Sequence, residues 1–196
     1  MPKSWIAPAL FCLLACCSGK ALANESALGS TGNGLSNGPL EVLEKYHIGP
    51  EAGLYLPTSS VAANRFGDTW FSIGVGFGAI KNVTESGKIT QDFDLFFQTH
   101  NNNHAFFVPV GAAYKKAFPR SGKLIPYLGG SLNAVITDIR SDQDGIQSRF
   151  RPAYGGSLFA GTNYGKHAFF EARYYAFTRV RSIDLSGLNL KLGYRF

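Results

Sequence analysis

A few groups of side chains in this sequence are of types that do chemistry. Asp92 and Asp94 stand two residues apart, so an extended chain puts both carboxylates on one face, where a pair of acids can divide acid and base work. The plainer reading is two acids neutralised by bases on neighbouring elements. Asp142-Gln143-Asp144-Gly145 opens like a calcium loop, but the later ligands of such a loop are missing and Asp-Gly reads more simply as a turn. Arg140, Arg149, Arg179 and Arg181 flank it and the last connection. Guanidinium groups at a membrane rim hold lipopolysaccharide phosphates through bidentate contacts, and solvated loop charge is the competing reading. The whole chain carries a net charge of +6. It has no concentrated basic run interleaved with stacking aromatics, so no nucleic-acid partner is expected. No metal site and no cofactor is expected either.

The segments before residue 46 narrow this further. Residues 1–23 read as a secretory signal peptide, with Lys3, an apolar run from Ile6 to Cys17 and a small-x-small site at Ala21-Leu22-Ala23. All three cysteines, Cys12, Cys16 and Cys17, precede that site, so the mature chain has no disulfide and no thiol chemistry. Removing Lys3 and Lys20 leaves 17 bases against 13 acids, a net +4. A rival route is open: Leu13-Leu14-Ala15-Cys16 resembles a lipobox, which would acylate Cys16. Residues 24–45 form a tether rich in Gly, Ser and Asn, with a short helical lead-in at Pro39 to Lys45.

The elements that must position the charged residues are strands. The last ten residues alternate without an error: Leu188, Leu190, Leu192, Tyr194 and Phe196 on one face, polar residues and Gly on the other. From His47 onward, eight such segments are separated by turn signals, near 47–56, 70–80, 89–98, 105–116, 124–137, 149–162, 167–177 and 187–196. No helix-sized periodic segment interrupts them, so the strands are expected to be antiparallel neighbours. Eight up-and-down strands can close with no free edge. The expected fold is all-β, an eight-stranded antiparallel up-and-down transmembrane β-barrel over residues 46–196, and the expected location is the outer membrane.

Opposite the apolar rows stand Glu51, Asp92, Asp94 and Glu171 against Lys115, Arg151, Arg173, Lys191 and Arg195. A narrow eight-stranded barrel is filled by its own side chains, and buried charges must be paired, so near-balance suits an internal ion-pair network. Gly74, Gly76 and Gly78 on that face suit a crowded interior. A soluble lipocalin-like barrel would turn the same rows the other way, with the apolar rows lining a ligand cavity.

The stretches Ile125-Pro126-Tyr127-Leu128-Gly129-Gly130, Phe170-Glu171-Ala172-Arg173-Tyr174-Tyr175 and Leu185 to Phe196 resemble the small outer-membrane barrels of the opacity-protein and OmpA-like type. That resemblance implies that Leu188, Leu190, Leu192, Tyr194 and Phe196 form the signal read by the barrel-assembly machinery. It implies outer-membrane lipid, lipopolysaccharide and periplasmic chaperones as partners, with a monomer expected. Lipid A deacylases resemble the chain in size and use a His-x-Ser pair, but none of His47, His100, His104 and His167 has a Ser two residues on. The expected role is therefore structural or adhesin-like surface interaction, without catalysis. The alternatives are a narrow pore for small apolar solutes and a periplasmic lipocalin-like binder.

Overall fold

Alternation with a period of two gives each strand one face for hydrocarbon and one for the interior, and strands make up most of the described residues. A computed structural model describes residues 49–76, 88–119, 121–142, 145–146, 150–165 and 167–194. The chain divides into units 1–36 and 37–196, and every described residue lies in the second. The signal peptide, the tether with its helical lead-in, Gly78, Arg149, Arg195 and Phe196 lie outside the described residues, as does the side chain of Asp92.

The strands are β1 (Gly49–Pro57), β2 (Trp70–Gly76), β3 (Lys88–His100), β4 (Asn103–Ala117), β5 (Leu124–Arg140), β6 (Phe150–Tyr164), β7 (Ala168–Phe177) and β8 (Gly187–Tyr194). Each pairs antiparallel with its chain neighbours, and β8 pairs with β1 to close the barrel. The closing ladder sets Gly53 opposite Lys191 and Tyr55 opposite Asn189. With β4, β5 and β6 at 15, 17 and 15 residues, these strands are longer than the roughly 9–11 residues that cross a bilayer. They therefore extend past the hydrocarbon. The β3–β4 connection is a tight turn with Asn101 and Asn102 both at positive φ, a conformation Asn tolerates.

The faces fall as alternation requires. Ile73, Val110, Leu132, Leu158 and Leu192 point outward and are exposed, Leu132 and Leu158 by more than 70%. Aromatic side chains flank this belt: Phe71, Phe97 and Phe150 toward the end that carries the long connections, Tyr114, Tyr164 and Tyr194 toward the end that carries the termini. An apolar band between aromatic girdles is the exterior of a membrane-spanning barrel, whose short turns face the periplasm and whose longer loops face outward. The lipocalin-like alternative is overturned here, because the apolar rows lie outside and the charges inside. No described helix is long and apolar enough to cross a membrane.

One element differs from the sequence reading. The first outer connection, read from the sequence only as turn signals between the strands near 47–56 and 70–80, holds a helix, α1 (Ser60–Phe66). The Ser59 side chain accepts the Ala62 N–H, and Gly67, at φ 93°, donates its N–H to the Ala63 carbonyl. At seven residues the helix is too short to stand alone. Packing holds it: Ala62 and Phe66 are fully buried against the barrel's interior.

Leu158, at the centre of β6, tests the outward assignment. Leu158→Arg is expected to destabilise the bilayer-inserted protein by about 2–4 kcal/mol, whereas a charge near the strand end costs about 0–1 kcal/mol. Reversible urea unfolding from phospholipid vesicles measures both.

Candidate functional site

Charged side chains of several strands converge in the interior. Lys191 on β8 is its hub. Its Nζ lies 2.7 Å from Glu51 Oε2, 3.2 Å from Asp94 Oδ2 and 3.5 Å from Glu171 Oε1. The ladders explain how residues on four strands meet. Glu171 stands directly opposite Lys191 in the β7–β8 register. Glu51 is diagonal to it on β1, and Asp94 arrives from β3 across β2. Arg173 donates from Nε and NH2 to Glu171 Oε1, each at 2.8 Å. Lys115 reaches Glu171 Oε2 at 3.6 Å while its ammonium sits 4.0 Å from the Tyr127 ring centre.

Two tyrosines complete the belt. Tyr127 donates its hydroxyl to Glu171 Oε2 at 2.9 Å, and Tyr175 donates to Asp94 Oδ2. Among the described residues, three acids and three bases thus share one layer, and phenol hydroxyls donate to two of the acids, Glu171 and Asp94. Carboxylates this deeply buried must be satisfied in this way, because an uncompensated charge there costs several kcal/mol.

Glycine makes the reach possible. A Cβ at Gly74 would lie 2.5 Å from Asp94 Oδ1, so β2 must be bare where the acid leans across it. Gly161 plays the same part for Tyr127, whose ring crosses β6 to reach Glu171; a Cβ there would lie 2.6 Å from the hydroxyl oxygen.

Among the described residues the paired charges occupy the middle of the lumen, and other side chains fill the layers on either side. On the loop side Tyr55, Trp70, Phe96, Phe107, Tyr175 and Phe177 form an aromatic plug. Phe96 and Phe107 stack at 4.4 Å, and Tyr55 leans on Phe96 at 4.8 Å. Each such pair contributes about 0.5–1.5 kcal/mol beyond its area. Tyr55 and Trp70 satisfy their polar atoms on backbone carbonyls, Leu185 O and Gly67 O respectively. On the periplasmic side Tyr127 and Phe159 close the layer below.

The expected network residues therefore separate. Glu51, Asp94, Lys115, Glu171, Arg173 and Lys191 come together. Arg151 does not. It stands opposite Thr137 on the inward parity, but at the second position of β6, at the mouth, where its side chain is exposed. Parity fixes a face and not a depth, which is why the sequence misplaced it. Of the arginines expected at the rim, Arg140 is exposed and pairs with Asp142 at 3.1 Å. Arg179 and Arg181 are exposed in the last outer connection. Sequence reading missed the roles of Tyr127 and Tyr175 and the plug. The available signal was a set of large aromatics on the polar parity: Trp70 with Ser72, Phe96 with Asp94, Tyr175 and Phe177 with Arg173.

His47 lies outside the described residues, and the three described histidines have separate neighbours. His104 faces Asp138 at 3.7 Å, Asn101 contacts His100, and His167 stacks on Tyr194. Among the described residues no three His, Cys, Asp or Glu side chains are grouped to hold a metal ion. Asp142, at the head of the calcium-like tetrapeptide, is held by Arg140, and Gly145 takes the positive φ of a turn.

Comparison of the backbone with solved structures finds the same architecture. Neisserial surface protein A matches with a TM-score of 0.55 and 16% identity, over 76% of this chain and 95% of that one. The chain has the fold of the small eight-stranded outer-membrane barrels. With its apolar belt and aromatic girdles, this small barrel is an outer-membrane protein. Further structures, PagL and Ail among them, match below a TM-score of 0.5. The outer membrane enzyme PagL gives 0.48 at 10% identity, over 76% of this chain and 98% of that one. Ail, the attachment invasion locus protein of Yersinia pestis, gives 0.44 at 13% identity, over 76% and 97%. No protein-family model and no curated protein sequence matches the chain. A fold of this kind does not fix a function, which must be argued from the interior and the loops.

Two substitutions test the interior. Lys191→Met leaves Glu51, Asp94 and Glu171 facing one another without their shared cation, and a loss of about 3–5 kcal/mol is expected in urea unfolding from vesicles. Gly74→Ala, which drives a methyl into Asp94, is expected to cost about 1–3 kcal/mol in the same measurement.

Proposed function

We propose that this protein is a non-conducting, non-catalytic outer-membrane barrel whose role is structural and surface-interacting, with the outer connections as its contact surface. The observation that carries this reading is the filled lumen. The ion-paired layer around Lys191 is backed on the loop side by the buried plug of Tyr55, Trp70, Phe96 and Phe107. A barrel of eight strands is just wide enough for side chains to fill, and here they do so at two successive depths. Solute would have to displace both a satisfied charge network and a packed aromatic cluster.

The non-catalytic reading is supported by the partners of the histidines. His104 has a carboxylate neighbour in Asp138, but the residue two positions on is Phe106. Arg140 and Arg179 stand at the loop end and are proposed to meet lipopolysaccharide phosphates, the chemistry that fits exposed guanidinium groups beside an anionic leaflet. Leu188, Leu190, Leu192 and Tyr194 form the outward row of β8, and with Phe196 they are the proposed signal for the barrel-assembly machinery.

Planar-bilayer recording tests the reading. Detergent-folded protein that shows the heat-dependent mobility shift of a closed barrel is expected to give no single-channel steps. Reproducible steps from that folded form would replace it with a narrow pore.

A further inference from the structure

The two ends of the barrel differ in charge. At the loop end the arginines stand among acids, Asp68, Asp138, Asp142 and Asp184. Toward the end that carries the termini, the acids whose side chains are described, Glu51, Asp94 and Glu171, all face inward onto Lys191. The sequence between Asp94 and Asp138 holds no acid, and its lysines and arginine all lie from 115 to 123, around the β4–β5 hairpin. Lys115 turns inward to Glu171. Lys116 and Lys123 are exposed, and neither meets an acid among the described residues.

The hairpin places these two lysines differently. Lys116, near the end of β4, falls on the outward parity after Val110, Ala112 and Tyr114, all exposed. It stands opposite Leu128 of β5, which is exposed on the same wall. A cation on that face runs its aliphatic stem along the apolar wall and lifts its ammonium to the headgroups. Phe118, next on the same parity, donates its N–H to the Pro126 carbonyl at 2.9 Å and keeps its ring exposed. Ser121 and Leu124 exchange backbone hydrogen bonds at 2.9 and 3.0 Å around a two-residue turn, with Gly122 at φ 61° and Lys123 at its centre. Glycine is the residue that the first central position of such a tight hairpin turn calls for. The Lys123 carbonyl accepts the Gly165 N–H at 2.8 Å, which fastens this turn to the β6–β7 turn. Leu124 pairs with Tyr164, and both side chains are exposed.

Two ammonium groups and a set of exposed rings and aliphatic side chains thus share one stretch of the periplasmic rim. Because Lys116 stands on the lipid-facing wall, its partner must join a negative group at the interface to an apolar body in the bilayer. Peptidoglycan has the charge without the apolar body, and lipopolysaccharide lies in the opposite leaflet. A phospholipid with a net negative headgroup has both parts on the right side. We propose that the end of the β4–β5 hairpin binds an anionic phospholipid of the periplasmic leaflet. Lys116 and Lys123 draw its phosphate, and Tyr114, Leu124 and Leu128 lie along its chains. The proposal is independent of the loop-end reading and gives the opposite end of the barrel a ligand class.

The test uses the full mature chain in nanodiscs in which phosphatidylglycerol progressively replaces phosphatidylcholine. Backbone and lysine ammonium chemical shifts report the site. Phosphatidylglycerol is expected to give saturable shifts centred on Lys116, Phe118, Lys123 and Leu124. Lys116→Gln and Lys123→Gln are each expected to raise the half-saturating lipid fraction about fivefold, and the double variant about thirtyfold. Lys116→Arg keeps the charge and is expected to keep the affinity. The substitutions fall at exposed positions, and the heat-dependent mobility shift of each variant confirms that its barrel is closed. Shifts that never saturate, shifts spread evenly around the wall, or an unchanged half-saturating fraction in the double variant would overturn the proposal. So would the same saturable shifts from inorganic phosphate, or from a soluble peptidoglycan fragment, in phosphatidylcholine alone.

Discussion

A strand in hydrocarbon has no water to satisfy its backbone, so each N–H and C=O must find a partner on another strand. In this chain the requirement is met by a ring, and the ladder that makes it a ring is β1 against β8, from Glu51–Gly193 to Pro57–Gly187. Closure then dictates the rest. It sends alternate side chains into a narrow space from which they cannot escape. Charges carried deep on the inner face must be paired there with other inner-face groups, because neither lipid nor bulk water is within reach.

The interior meets that demand in layers of different chemistry. Around Lys191 the currency is charge, with Glu51, Asp94 and Glu171 converging on one ammonium and two tyrosine hydroxyls taking up remaining acceptors. Toward the mouth it is dispersion and quadrupole geometry, in tilted and stacked rings from Tyr55 to Phe177. The layers share members. Tyr175 has its ring in the plug and its hydroxyl on Asp94, so the apolar and ionic parts are joined by one side chain. Glycine at Gly74 and Gly161 is what lets neighbouring side chains cross a strand that would otherwise block them.

Most of the barrel was legible because a period of two is written directly in residue type. The outward rows from Leu132 to Leu158 and the inward acids are visible to anyone counting alternate positions. What alternation does not encode is height along the axis. Arg151 and Arg173 share a face on neighbouring strands, yet one stands exposed at the mouth and the other is 2% exposed beside Glu171. The helix α1 was hidden for a related reason. Seven residues carry no periodic signal of their own, and Ala62 and Phe66 become a buried face only when the mouth exists to receive them.

The position of the hub cation has a consequence for biogenesis. Glu51 and Asp94 belong to early strands, while Lys191, the ammonium that both of them meet, belongs to the strand made last. A nascent barrel lacking β8 has an unzipped seam and is also short of that ammonium. Docking of the final strand therefore cures two defects in one step, a backbone defect and a charge defect. An intermediate one strand short would keep Glu51 and Asp94 without the ammonium they share in the closed barrel.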